Sequence, residues 1–154
     1  IKQETEKLAS YCQGREVVTV EDVEKVCATQ TTSHIFDMIS AIANKKQQQA
    51  LDLYYDLLEL KEPPMRILYL IVRQFNGILQ VKDLMSRGVS GKEIASRIGA
   101  APFVAGKYQA QAKYFEMSTL LDALNECART EEAVKQGRLN DRLGVELIII
   151  KYSK

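Results

Sequence analysis

KEPPMRILYLIVRQFNGILQVKDLMSRG, residues 61–88, is the stretch whose reading decides the fold. An Asn-Gly pair between apolar runs is a strong local sign of a two-stranded hairpin. Asn76-Gly77 therefore either splits this stretch into two strands or lies inside one helix. The apolar positions decide between them. Ile67, Leu68, Ile71, Phe75, Ile78, Leu79 and Met85 recur at helical spacing straight through the pair, which is the period of a helix face and not of a strand. Pro63 and Pro64 suit a helix start, where the first N–H groups have no intrahelical partner, and Gly88 suits its end. Gly77 then reads as a tolerated weak point, costing ~1 kcal/mol against Ala.

The same period extends in both directions. Downstream, Ser90 and Glu93 have the spacing of a capping box ahead of a short helix that Gly99 closes and Pro102 follows. Ser118 is the expected cap of a helix with Leu120, Leu121, Leu124, Ala128 and Val134 inward. In NDRLGVELIIIKYSK, Ile148 to Ile150 favour a strand locally, but Leu143, Leu147 and Ile150 also share a helix face, and no partner strand is in sight. Upstream, Ala50, Leu51, Tyr54, Leu57 and Leu58 form one stripe and Ile35, Phe36, Ile39 and Ile42 another. The polar run QTTSH interrupts the pattern before that second stripe, predicting a hinge at residues 31–33. Thr19 is the expected cap of a helix through Val23, Val26 and Cys27, and residues 1–13 carry Leu8, Tyr11 and Cys12 on one side before Gly14. The whole chain reads as all-α, with eight or nine helices.

Composition narrows the function. The chain has 154 residues, with 21 Lys and Arg against 20 Asp and Glu. A dedicated nucleic-acid binder usually carries a clear basic excess. The apolar runs ILYLIV and LIII are far short of the roughly 20 residues that cross a bilayer. Cys12, Cys27 and Cys127 are scattered without a CxxC pair, as reduced thiols of a cytoplasmic protein would be. With no initiating Met, the chain reads as a piece of a longer protein. The Gly-Lys pairs at Gly91 and Gly106 lack the upstream glycine and hydroxyl of a phosphate loop. His34, the single histidine, stands at an expected helix start, and Glu131-Glu132 and Asp52 with Asp56 suit solvated faces. Tyr54-Tyr55 and Tyr108 with Tyr114 have the spacing of core or rim residues. No catalytic, metal or cofactor site is expected.

Residues 90–114 do have the outline of a DNA-reading helix-turn-helix. A reading helix presents polar and basic side chains along its first turns. Here those turns carry Pro102, Phe103, Val104, Ala105 and Gly106, with basic residues only at Lys107 and Lys113. The expectation is packing, with a helix-turn-helix regulatory domain as the alternative. A self-associating helical bundle is a third possibility.

An ordered series of motifs carries a resemblance along the chain. It comprises Ile35-Phe36 with Ala41-Ile42, Glu62-Pro63-Pro64, Arg73-Gln74-Phe75, Val81-Lys82, Glu93-Ile94-Ala95 with Ile98-Gly99, and Lys135 with Gly137. The series resembles the C-terminal part of the delta subunit of the bacterial DNA polymerase III clamp loader. Glu4, Lys7, Leu8 and Tyr11, followed by VTVEDV, are similar to the end of that family's AAA+ lid domain. Gly77 departs from the larger apolar residue common there, and Glu131-Glu132 from a usual Asp.

The resemblance implies residues 1–32 as the end of a lid domain and residues 33–154 as a helical collar. Such a collar holds delta in a ring of five subunits beside gamma/tau and delta-prime type subunits. The complex opens the sliding clamp and loads it onto primed DNA for the polymerase. Delta opens the clamp through an N-terminal domain, and it resembles an ATPase without a working site. The piece here should then be a non-catalytic, cytoplasmic assembly module with no cofactor. The end of the long helix, around Arg73, Gln74 and Lys82, and the C-terminal segment with Lys135, Gly137, Arg138 and Arg142, are the expected contacts with neighbouring subunits.

Overall fold

The structure, a computed structural model, describes residues 20–154, with side chains described from residue 29 onward. Among the described residues it contains seven helices and no strand: α1 (Val20–Ala43), α2 (Gln47–Glu59), α3 (Pro64–Ser86), α4 (Gly91–Ile98), α5 (Pro102–Ala112), α6 (Met117–Lys135) and α7 (Asp141–Tyr152). The all-α reading holds. The expected helix at residues 1–13, the Thr19 cap, the lid motif and the side chains of Val23, Val26 and Cys27 lie outside the described residues.

The long helix α3 is the axis of the fold, packing against α1, α4, α5, α6 and α7. It begins at Pro64 as expected and runs unbroken through Asn76-Gly77. Ile67, Leu68, Ile71, Phe75 and Ile78 are buried along it, Leu79 is half-buried and Met85 is exposed. Gly77 is not merely tolerated. A Cβ there would stand 2.6 Å from the Tyr108 ring of α5. The glycine is what lets the two helices approach.

The hinge expected at residues 31–33 is absent, because α1 passes through it as continuous helix. Thr31 is buried, and its hydroxyl donates to Glu62 Oε1 at 3.0 Å, ahead of α3. The polar side chain ties α1 to the connection between α2 and α3 where the sequence suggested an interruption. Two expected helices thereby become one. His34 consequently lies within a helix and not at its start, with Nδ1 bonded to the Gln30 carbonyl at 2.9 Å.

Smaller corrections follow from helix phase and caps. Ser90 sits at the N-cap of α4 but makes no capping bond, and Glu93 pairs with Arg97 instead. α6 starts at Met117 with Glu116 at its cap, so Ser118 lies in the first turn. Its buried face is Leu120, Ala123, Cys127 and Thr130, while Leu121 and Ala128 face solvent. Tyr54 and Tyr108 are core residues, Tyr55 is half-buried and Tyr114 is exposed.

Candidate functional site

Two faces of the fold present apolar groups that nothing among the described residues covers. The first is on α7. Its inner side buries Val145, Ile148, Ile149 and Tyr152. The face shared by Leu143, Leu147 and Ile150 points outward: Leu143 is 46% exposed, Leu147 is 49% exposed, and Ile150 is half-buried. A helix that is apolar on more than one side usually has more than one neighbour.

Several contacts hold this strip in place. Asn140 caps α7 by accepting from the Leu143 N–H at 3.0 Å. Gly144 lets α7 approach α6, since a Cβ there would stand 2.8 Å from Thr130 Cγ2. The Tyr54 hydroxyl donates to the Arg142 carbonyl at 2.8 Å, and Tyr55 donates to Glu146 at 2.8 Å. At the other end, Tyr152 Oη donates to Asp122 at 2.7 Å, and Lys151 reaches Glu126 at 3.2 Å. The Tyr152 bond, with Lys151 nearby, holds the Asp122 carboxyl below its ordinary pKa, and burial with the Asp122 contact raises the Tyr152 phenol. Lys45 Nζ donates to the Tyr152 carbonyl at 3.2 Å, a cation at a helix C-terminus.

The expected contact residues near α7 separate into groups. Arg138 and Arg142 are exposed and lack ion pairs among the described residues. Lys135 is engaged with Glu131 at 2.7 Å. Gly137 has φ +71° with open space around it, so it ends α6 and has no side chain to offer a partner.

The second face lies between α3 and the α4–α5 hairpin. A groove of about 510 Å³ runs there, walled by Val72, Ile98, Ala101 and Val104, with Gly77 and Tyr108 also lining it. Tyr69, 62% exposed, and Arg73 line it from α3. Arg73 is the one expected contact on this helix that remains at the surface. Gln74 is buried at 4% exposure and donates to Gln111 Oε1 at 2.7 Å, so it belongs to the core and is corrected as a surface contact. Lys82 is half-buried, its Nζ donating to the Ala112 carbonyl at 3.0 Å at the end of α5. Arg73 and Gln74 also lie mid-helix, not at its end.

The hairpin has no basic stripe. Lys107 lies over the Phe36 ring at 4.6 Å and near Phe103 at 5.2 Å. Lys113 stands six residues on, at the C-cap of α5, and so points to another side of the helix. Among the described residues, no cluster of three His, Cys, Asp or Glu could hold a metal ion, and no helix is long and apolar enough to cross a membrane.

The exposed strip and the groove were both missed in the sequence. A signal existed for the first. Leu143, Val145 and Leu147 to Ile150 put apolar groups around much of α7, more than one inward face needs. Nothing comparable announced the groove, whose walls come from distant segments.

Comparison with known proteins agrees with this architecture. The family described as DNA polymerase III delta subunit, C-terminal domain, matches residues 32–152. The chain is 33% identical over 154 residues to DNA polymerase III subunit delta of Bacillus subtilis (strain 168), spanning all of this chain and 44% of the relative. It is similar in structure to the Bacillus subtilis DNA clamp loader delta protein, with a TM-score of 0.80 and 32% identity over 98% of this chain and 44% of the other. The chain thus spans less than half the length of these relatives, and it belongs to the family formed by the C-terminal domains of DNA polymerase III delta subunits.

Proposed function

We propose that this chain is the assembly module of a delta-type subunit of a clamp loader. Residues 33–154 form the collar and residues 1–32 the end of an AAA+ lid. The module joins neighbouring collars of gamma/tau and delta-prime type subunits in a ring. The observation that carries this reading is the uncovered Leu143–Leu147–Ile150 face of α7, with Arg138 and Arg142 near its start. Interfaces favour apolar anchors with arginine among them. Covering the exposed halves of Leu143 and Leu147 would contribute about 1 kcal/mol each.

The module performs no reaction itself and works in the cytoplasm. Clamp opening, primed DNA and polymerase activity belong to the complete assembly. The helix-turn-helix alternative is less well supported, because the first turns of α5 expose Pro102, Phe103 and Gly106 while Lys107 lies on aromatic rings.

The test is sedimentation of the chain mixed with collar domains of the other loader subunits. The parent chain should form a larger complex, and Leu147→Glu should lose it while melting like the parent. A parent chain that never assembles would overturn the reading. Calorimetric titration with ATP and magnesium should show no saturable binding.

A further inference from the structure

We infer that the groove between α3 and the α4–α5 hairpin is a docking site for an acidic, apolar-anchored segment of a partner protein. This rests on the chain being an assembly module, and it names what Arg73 would hold.

The argument begins with the walls. Val72, Ile98, Ala101 and Val104 offer apolar surface in a groove of about 510 Å³, a volume in the range of sites that take several small groups. Tyr69 stands 62% exposed at its side. Phe103, next in sequence to the groove residue Val104, is 66% exposed. Rigid aromatic side chains of this kind anchor partners at low entropic cost.

The charge is one-sided. Among the described residues, no carboxylate lines this groove or the adjoining hollow of about 170 Å³ that shares Arg73, Val104 and Tyr108 with it. Arg66, Arg87, Arg97 and Arg129 each have a carboxylate within 4.0 Å. Arg73 has none among the described residues. A guanidinium beside apolar walls is suited to a bidentate carboxylate. Asn76 and Gln80, one and two turns further along α3, add amide groups on the same side.

The shape of the charge also selects the class of partner. A nucleic-acid backbone presents a row of phosphates and needs several cations along its track. The groove lining supplies one. An apolar side chain with a single aspartate or glutamate nearby matches it better.

The hairpin that the sequence suggested for base reading thereby acquires another role. Its Gly99 turn and the start of α5 form the far wall of the groove. Tyr108 and Gln111 fix the hairpin on α3.

The probes are short, capped, fluorescein-labelled peptides of alternating leucine and glutamate, the matching leucine and lysine peptides, and an oligothymidylate. Binding to the 154-residue chain is read by anisotropy, and the site by amide shifts of the isotope-labelled protein. The glutamate peptides should bind and shift Val72, Ile98 and Val104. Arg73→Glu should weaken them about tenfold or more, Tyr69→Ala should weaken them less, and both variants should melt like the parent. Leu147→Glu should leave peptide binding unchanged. Equal binding of the lysine peptides, or shifts that avoid the groove, would overturn the proposal. Tighter, Arg73-dependent binding of oligothymidylate would assign the groove to nucleic acid instead. Loss of ring assembly in Leu147→Glu alone leaves the groove standing, and loss of peptide binding in Arg73→Glu alone leaves the α7 joint standing.

Discussion

The ring of Tyr108 on α5 lies directly over Gly77 of α3, so close that a Cβ at position 77 would stand 2.6 Å from Cε2 and Cζ. Tyr108 is 9% exposed, and burial pushes its phenol above the ordinary pKa. Ala is the better helix former by ~1 kcal/mol, yet Gly77→Ala should destabilise the protein, because the ring is hemmed in by α1 and α3. Overpacking of this kind costs ~1–3 kcal/mol. Urea unfolding of Gly77→Ala, Tyr108→Leu and the double variant checks it. The double variant should be more stable than the sum of the singles requires, and simple additivity would refute the contact.

A buried amide chain links three helices. Gln74 donates to Gln111 Oε1 at 2.7 Å, and Gln111 Nε2 donates to the Phe36 carbonyl at 3.1 Å and to Ser40 Oγ at 2.9 Å. Gln111→Ala should cost ~1–3 kcal/mol or more, since it strands polar groups in the core. Replacing Gln74 and Gln111 together by methionine should cost less than the two single changes combined. Chemical denaturation of the four proteins measures this. Equal, additive losses would mean that the amides do not act as a unit.

These two contacts also mark what the sequence could disclose. Helix period along Ile67, Ile71, Phe75 and Ile78 identified α3, because a single local spacing decides helix against strand. Gln74 interrupts no period and looks like a surface residue. Its burial depends on Gln111, 37 positions away. Thr31 misled for the same reason, since its partner Glu62 lies in another segment. On α7 the apolar positions were visible but their orientation was not. Leu143, Leu147 and Ile150 share one face, Val145, Ile148 and Ile149 another, and only the packing of α6 against Gly144 decides which turns inward. Arg73 was legible as a candidate contact. The groove beside it needed the fold.

Cys127 sits in the core at 1% exposure, and burial, with a smaller contribution from Glu126, pushes its thiol from 9.0 up to about 12. The fold therefore favours the protonated thiol. Its contribution to stability is complete below the unfolded value and is lost as pH rises through about 12. At neutral pH the thiol should resist iodoacetamide until the protein unfolds. Peptide-level mass spectrometry, which separates it from Cys12 and Cys27, reads this directly. Rapid labelling of Cys127 in native buffer would contradict its burial.

Lys61 holds φ +64° in the turn between α2 and α3, a conformation that side chains with a Cβ disfavour. Lys61→Gly should raise stability by ~1 kcal/mol. Lys45 has φ +60°, but its Nζ also donates to the Tyr152 carbonyl, so Lys45→Gly should gain less or lose. Paired thermal melts compare them. A larger gain at position 45 would mean that the bond to α7 contributes nothing.

The turn between α6 and α7 offers the sharpest test of the proposed assembly surface, because its residues should fail in different ways. Lys135 is spent on Glu131 within its own helix, so Lys135→Ala should change neither folding nor assembly by much. Gly137 holds φ +71° at the helix end, so Gly137→Ala should lower the melting temperature through ~1 kcal/mol of strain. Any effect on assembly would then follow the fold. Arg138 is exposed and lacks an ion pair among the described residues. Arg138→Ala should melt like the parent but bind neighbouring collar domains more weakly, with a loss that shrinks as salt screens the pair. Arg142→Ala should behave similarly, since Tyr54 uses only its backbone carbonyl. Sedimentation with the collar domains at low and high salt, beside thermal melts of each variant, separates the three behaviours. If Arg138→Ala assembles as well as the parent at low salt, the joint does not include this turn.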